Sequence, residues 1–198
     1  MLLGHAAALQ QAIAGHLRAL RGGERAALER ARRFAVEALG VSAPAADPAG
    51  MAAALDRPLR VCGVVRNTGE PGGGPFWVAA ADGTVSAQIV ESAQVDQGDA
   101  AQRALFAAAT HFNPVFLACA VRDVGGRAFE LGRFVDPSAV FIARKSKDGR
   151  ELKALERPGL WNGAMAHWLT VFVEVPEATF TPVKTVNDLL RPAHQPPA

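Results

Sequence analysis

Two textures meet at Pro58. Before it, apolar residues recur at helical spacing; after it, they come in short β segments bounded by glycine, asparagine and aspartate. The short helices alternate with strands of unlike character, which argues for a mixed α/β layer fold. No internal repeat is present.

Leu9, Ile13, Leu17 and Leu20 stripe a helix over residues 2–21, stopped by Gly22-Gly23. A second helix is expected over 24–39, with Arg25, Glu29 and Arg33 stacked at four-residue spacing and Gly40 as C-cap. Nothing ahead of the first stripe resembles an N-cap, so the chain reads as if it starts inside a helix, and a missing upstream portion is expected. VSAPAADPAG is a linker by composition, and a short helical turn follows at 51–55. The expected division is a helical hairpin over 1–40, a linker with a short helix over 41–57, and a mixed α/β half-domain over 58–198.

In the second part LRVCGVVR reads as a buried strand. FWVAA and TVSAQIV flank Asp82-Gly83, a two-residue hairpin signal. A helix is expected over 99–109, then the strand PVFLACAV, a turn at Gly125-Gly126 and a strand RAFEL. FIARK and ELKAL flank a turn at Lys147-Asp148-Gly149. GAMAHW reads as a short helix and LTVFVEV as a strand.

The balance of 21 basic against 19 acidic residues gives +2, too small a field to attract nucleic acid. Arg30, Arg32 and Arg33 fan around a solvated helix face among Glu29 and Glu37. Cys62 and Cys119, the only two cysteines, each sit in an apolar run and read as reduced core thiols of a cytoplasmic protein. No Cys/His cluster suggests a metal, no apolar run approaches a membrane span, and MLLGHAAALQ does not resemble a signal peptide.

Only four of the 21 basic residues are lysines: Lys145, Lys147, Lys153 and Lys184, all in the last third. Lys184 precedes Thr185 and Asp188, which are spaced as a capping box, so the start of a helix follows it. Free amides at a helix start beside an ammonium group make a seat for phosphate or carboxylate, and a plain structural cap fits the same residues. Gly72, Gly73 and Gly74 permit close backbone approach to a ligand, or simply connect strands; no phosphate-loop lysine follows them. Glu91 ends a strand, and Asn113 sits in a helix-to-strand junction. Carboxylate and amide together grip sugar hydroxyls, although a strand end and an Asn-Pro turn describe them equally. His111 and His167 read as structural, Trp161 and Trp168 as packing, and Trp77 as core or pocket wall. Lys145, Lys147 and Lys153 form either one cationic wall or a solvated loop.

In order along the chain, VCGVV, GTVSAQIVESAQVD, THFNPV and FTPVKTVNDLL resemble segments in the second half of the UDP-sugar pyrophosphorylases. The resemblance implies sugar contacts at Gly63, Glu91 and Asn113, and a phosphate contact from Lys184, which becomes the catalytic candidate. Secondary candidates are Gly72, Gly73, Gly74, Lys153 and Asn162. Over nearly its whole length the chain resembles the bacterial domain-of-unknown-function family 4301, through RVCGVVRNTGEPGGGPFWV, THFNP, KSKDGRELKALERPGLWNGAMAHW and PVKTVNDLLRPAHQ. The implied fold is the mixed-sheet C-terminal half of a GT-A-like nucleotidyltransferase, preceded by the helical hairpin.

The implied partner is a sugar phosphate or sugar nucleotide, with the missing N-terminal half or a partner subunit alongside, and without nucleic acid or membrane. A Gly-rich nucleotide loop with a basic residue, and a metal-binding Asp downstream of it, are absent before Gly40. Nucleotidyl transfer needs metal and cations to neutralise the phosphates. The expectation is therefore sugar-phosphate contact without turnover and no cofactor in this chain, Mg²⁺ belonging only to a complete family member. Two other classes remain open: a non-catalytic regulatory module of the same fold, and an assembly domain using an uncovered apolar stripe on residues 2–39.

Overall fold

The computed structural model describes residues 1–67, 72–80, 83–114, 116–159, 163–181, 183 and 185–196. Strand β1 (Leu59–Arg66) is its spine, and every residue but Arg66 is buried. Strand β8 (Leu169–Glu174) pairs parallel to one edge of β1, from Leu59↔Leu169 to Val64↔Glu174. Along the other edge run antiparallel β4 (His111–Phe112) and β5 (Leu117–Ala120). The result is a small mixed sheet. A continuous apolar run suits this position, since no residue of the strand is free to be polar without a partner.

One face of this sheet carries Leu59, Val61, Ala118 and Leu169 into a core closed by α1 (Leu2–Arg21), α2 (Ala27–Leu39) and α3 (Pro48–Leu55). The stripe of α1 is covered there: Ile13, Leu17 and Leu20 are buried. Buried Ala27, Ala31 and Ala35 recur every four residues on α2 and let it approach closely. The opposite face bears Arg60, which is 2% exposed and donates to Thr170 Oγ1 and Gln88 Oε1, both at 2.8 Å. Strands β2 (Gly74–Ala79) and β3 (Val85–Val90) form one separate hairpin, and β6 (Phe141–Lys147) and β7 (Arg150–Glu156) another. Helix α4 (Ala100–Ala107) starts at Asp99, whose carboxylate accepts from the amides of Ala101 and Gln102.

Several expectations are corrected. The second helix begins at Ala27 rather than 24, because Ala26 takes a left-handed turn at φ 61°; Gly40 does end it, at φ 65°. On its surface Arg32 pairs with Glu29 and Arg30 with Glu24, in place of the expected four-residue stack. Helix α3 begins three residues before the expected 51, because Asp47 caps the amide of Gly50 at 2.9 Å and Pro48 fits the first turn. The β2–β3 ladder extends to an Ala80 N–H bond on Thr84 O. Asp82 of the expected turn lies outside the described residues; Gly83 has φ 81°. At the second hairpin Asp148 and Gly149 both have positive φ, as a two-residue turn requires.

RAFEL makes a single bridge, Arg122↔Ala128, before a 3-10 turn at Leu131–Phe134. GAMAHW is a turn rather than a helix; Trp168 is buried, and Trp161 lies outside the described residues. Trp77 is neither core nor pocket wall. It is 66% exposed and stands over Gly40, where a Cβ would come within 3.0 Å of its ring.

The two cysteines differ. Cys62 is buried on β1, and burial pushes its thiol up to about 12; Cys119, on β5, is exposed. A thiol-reactive disulfide reagent at mildly alkaline pH is expected to titrate one cysteine in the folded chain and the second only after denaturation. Two fast thiols in the folded chain would contradict this burial.

Candidate functional site

Between Cys62↔Leu117 and Val65↔Phe112, three steps of β1 face five steps of the opposite strand. Two extra residues are accommodated as a bulge, which interrupts the backbone ladder beside Gly63. Asn113 repairs it. Its Nδ2 donates to Gly63 O at 2.7 Å, its backbone N–H donates to Gly73 O at 2.9 Å, and Gly63 N–H reaches Phe116 O at 2.8 Å. A buried carbonyl without a donor costs about 1–3 kcal/mol, so the 4%-exposed amide side chain has a structural reason to be there. Gly63 is small for packing: a Cβ would lie 3.2 Å from Phe116 and 3.3 Å from Leu2.

The glycine run approaches the same bulge. A Cβ on Gly72 would come 2.3 Å from the Phe112 ring, and one on Gly74 would come 2.7 Å from His111 O. Gly73 lies against Glu91, its absent Cβ 3.3 Å from Glu91 Cγ. The structure thus gathers Gly63, Gly72, Gly73, Gly74, Glu91 and Asn113, from four separate segments, around one end of β1.

A cavity of about 150 Å³ opens beside them, lined by Asn67, Ser92, His111, the three glycines and the rings of Phe76, Phe106 and Phe112. Clefts for whole ligands start at roughly 300 Å³, so this one admits a single chemical group, such as a sugar edge or a phosphate. Burial, and then the nearby Glu156, push the Glu91 carboxyl up from its ordinary value. Glu156 is itself ion-paired with Lys145.

His111, read from the sequence as a hydrogen-bonding structural residue, is bonded at both ring nitrogens. Its Nε2 meets Glu174 Oε2 at 3.0 Å, and its Nδ1 meets Thr110 Oγ1 at 2.8 Å. The hydrogen bond from His111, followed by the charge of Arg66, holds the Glu174 carboxyl below the usual range. A carboxylate on Nε2 fixes the proton there and leaves Nδ1 of the neutral ring to accept from Thr110. The sequence signal was available: His111 stands two residues before Asn113.

Other candidates lie apart. Lys145 and Lys147 share one face of the second hairpin, and register turns Lys153 to the opposite, exposed face with Arg144, so the three do not make one wall. Lys184 and Asn162 lie outside the described residues. The capping box beyond Lys184 is formed, with Asp188 Oδ2 accepting from Thr185 N–H at 2.7 Å. It starts a five-residue 3-10 turn, Val186–Leu190, so the Thr185 amide is occupied and little helix dipole stands behind it. Among the described residues no three His, Cys, Asp or Glu side chains group as for a metal, and no helix is long and apolar enough to cross a membrane.

The chain is similar to two solved structures of single-site mutants of UDP-glucose pyrophosphorylase from Leishmania major, each in complex with UDP-glucose. One is 22% identical with a TM-score of 0.41, over 72% of this chain and 32% of that enzyme. The other is 23% identical with a TM-score of 0.41, over 77% and 34%. The chain therefore spans about a third of the length of that enzyme. Among curated proteins none matches the chain. The family described as "Domain of unknown function (DUF4301)" matches residues 1–195, and the chain belongs to it.

Proposed function

We propose that the chain is the sugar-binding portion of a nucleotidyltransferase-like protein and receives a sugar phosphate or sugar nucleotide at the Asn113 end of β1. The observation that carries this reading is the convergence of Gly63, Gly73, Glu91 and Asn113 next to a cavity lined by Gly72, Gly73, Gly74, Ser92 and His111. In this role Asn113, bonded to Gly63 O and Gly73 O, holds in place the glycine run that lines the cavity. Glu91 supplies a directional acceptor for sugar hydroxyls, and the glycines let the ligand approach the main chain. Lys184 neutralises phosphate as a compact cation. UDP-glucose, bound by the similar Leishmania major enzyme, is the first ligand to try.

In the complete protein a sugar 1-phosphate oxygen would attack the α-phosphorus of a nucleoside triphosphate, forming the sugar nucleotide and releasing pyrophosphate. Nothing before Gly40 offers the glycine-rich loop this requires, so binding without turnover is the proposal for these 198 residues. The helical stripe that an assembly role would leave open is covered by the sheet, which favours the binding reading over that one.

Calorimetry with UDP-glucose is expected to show binding by the chain joined to its complete open reading frame. Glu91→Ala and Lys184→Ala should each lower affinity at least about tenfold, the loss of one charge-assisted contact. Unchanged affinity in both variants would refute the assignment.

The titration of Glu91 gives a separate check. Its charged form is the one the fold disfavours, so stability is lost as pH rises through the raised value and is recovered as pH falls. Glu91→Gln should raise thermal stability at neutral pH, by less than about 1 kcal/mol for a partly exposed group, and change nothing at acidic pH. Asn113→Ala should destabilise by about 1–3 kcal/mol at both. A Glu91→Gln chain less stable at neutral pH would contradict the electrostatics described.

A further inference from the structure

A second cavity, larger than the one beside Asn113, lies at the other end of β1, about 25 Å along the strand from Asn67. It measures about 320 Å³, within the range of whole-ligand clefts, and sits between α1, the end of α3 and the Arg122–Phe129 loop. Its floor is apolar: Leu17, Leu55 and Leu59 are each at most 2% exposed, and Phe129 closes one side.

Its polar groups are out of balance. Asp56 pairs through Oδ2 with Arg21 at 2.5 Å, but Oδ1 is buried with no partner. Buried acceptors are rarely left so. Arg57 donates only to carbonyls, of Ala54 at 2.7 Å and His167 at 3.4 Å, and Arg122 donates to Gly126 O at 2.9 Å. Among the described residues neither guanidinium meets a carboxylate. Asp123, the other acid in the lining, accepts from the amides of Gly125 and Arg127 and from the Arg127 side chain. An apolar floor, an orphaned acceptor and two uncompensated cations together define a complement.

We propose that this cavity is a second ligand site, for a small amphipathic organic anion whose apolar body lies on Leu17 and Leu59. Its negative group faces Arg57 and Arg122, and an N–H or O–H donor meets Asp56 Oδ1. The site shares no lining residue with the cavity beside Asn113 and does not depend on that reading.

The probe is 8-anilinonaphthalene-1-sulfonate, which carries an aromatic body, a sulfonate and one N–H donor. Added to the folded chain, it should show saturable fluorescence enhancement at one equivalent. Arg122→Gln, an exposed position, and Ala14→Phe, which fills the cavity from α1, should each weaken binding at least about tenfold. Ile142→Ser should change nothing, because it removes an apolar side chain that is 65% exposed on the distant hairpin. If Ala14→Phe does not fold, Arg122→Gln decides alone. Non-saturable binding, affinity unchanged in Arg122→Gln, or affinity lost in Ile142→Ser would overturn the proposal.

Discussion

The structure depends on the burial of β1 from Leu59 to Val65. A strand paired on both edges and covered on both faces has no solvent to satisfy its polar groups, so each must be met by protein. Most are met by β8 and β5. Where the two-residue bulge breaks the ladder, the side chain of Asn113 meets Gly63 O. The same residue's main chain holds Gly73, and Gly73 lies against Glu91. One exception in a hydrogen-bond ladder thereby fixes where three distant segments meet.

That geometry also accounts for the glycine run. Gly72 and Gly74 are required by what already stands where a side chain would be: the ring of Phe112 and the carbonyl of His111. Close approach of the main chain to β4 leaves the cavity lined by backbone on one side and by aromatic faces on the other. A flexible connection would not hold such a shape. Around it, burial and Glu156 push the Glu91 carboxyl up, and Glu174, paired with Arg66, stands behind His111.

Where periodicity was strong, sequence sufficed. The stripe of Leu9, Ile13, Leu17 and Leu20 marked α1, LRVCGVVR marked the buried spine, and Gly40 and the Asp148-Gly149 turn stand where their chemistry places them. Misreadings came from tertiary effects that local pattern does not carry. RAFEL has strand-like residues but no neighbouring strand to pair with beyond one bridge. Trp77 looked like core because of its size, yet its ring stands over the helix end at Gly40. Cys119 shares an apolar run with buried Ala118 and is still exposed. In the candidate site, residue types pointed to Glu91 and Asn113, but the buried, backbone-directed role of Asn113 follows from the bulge, which no spacing reveals. His111 is hydrogen-bonded as its structural reading expects, but the identity of its partner, Glu174, 63 residues away, could not be read from the sequence.

The central claim is that the bulge at Asn113 holds the glycine run, with Glu91 against it, beside a pocket that receives a sugar phosphate. Amide chemical-shift mapping of the folded chain during titration with a sugar nucleotide tests it most directly. The account predicts saturable shifts concentrated at Gly72–Gly74, Glu91–Ser92 and His111–Asn113. Saturable shifts confined to other parts of the molecule, with those amides unmoved, would contradict it.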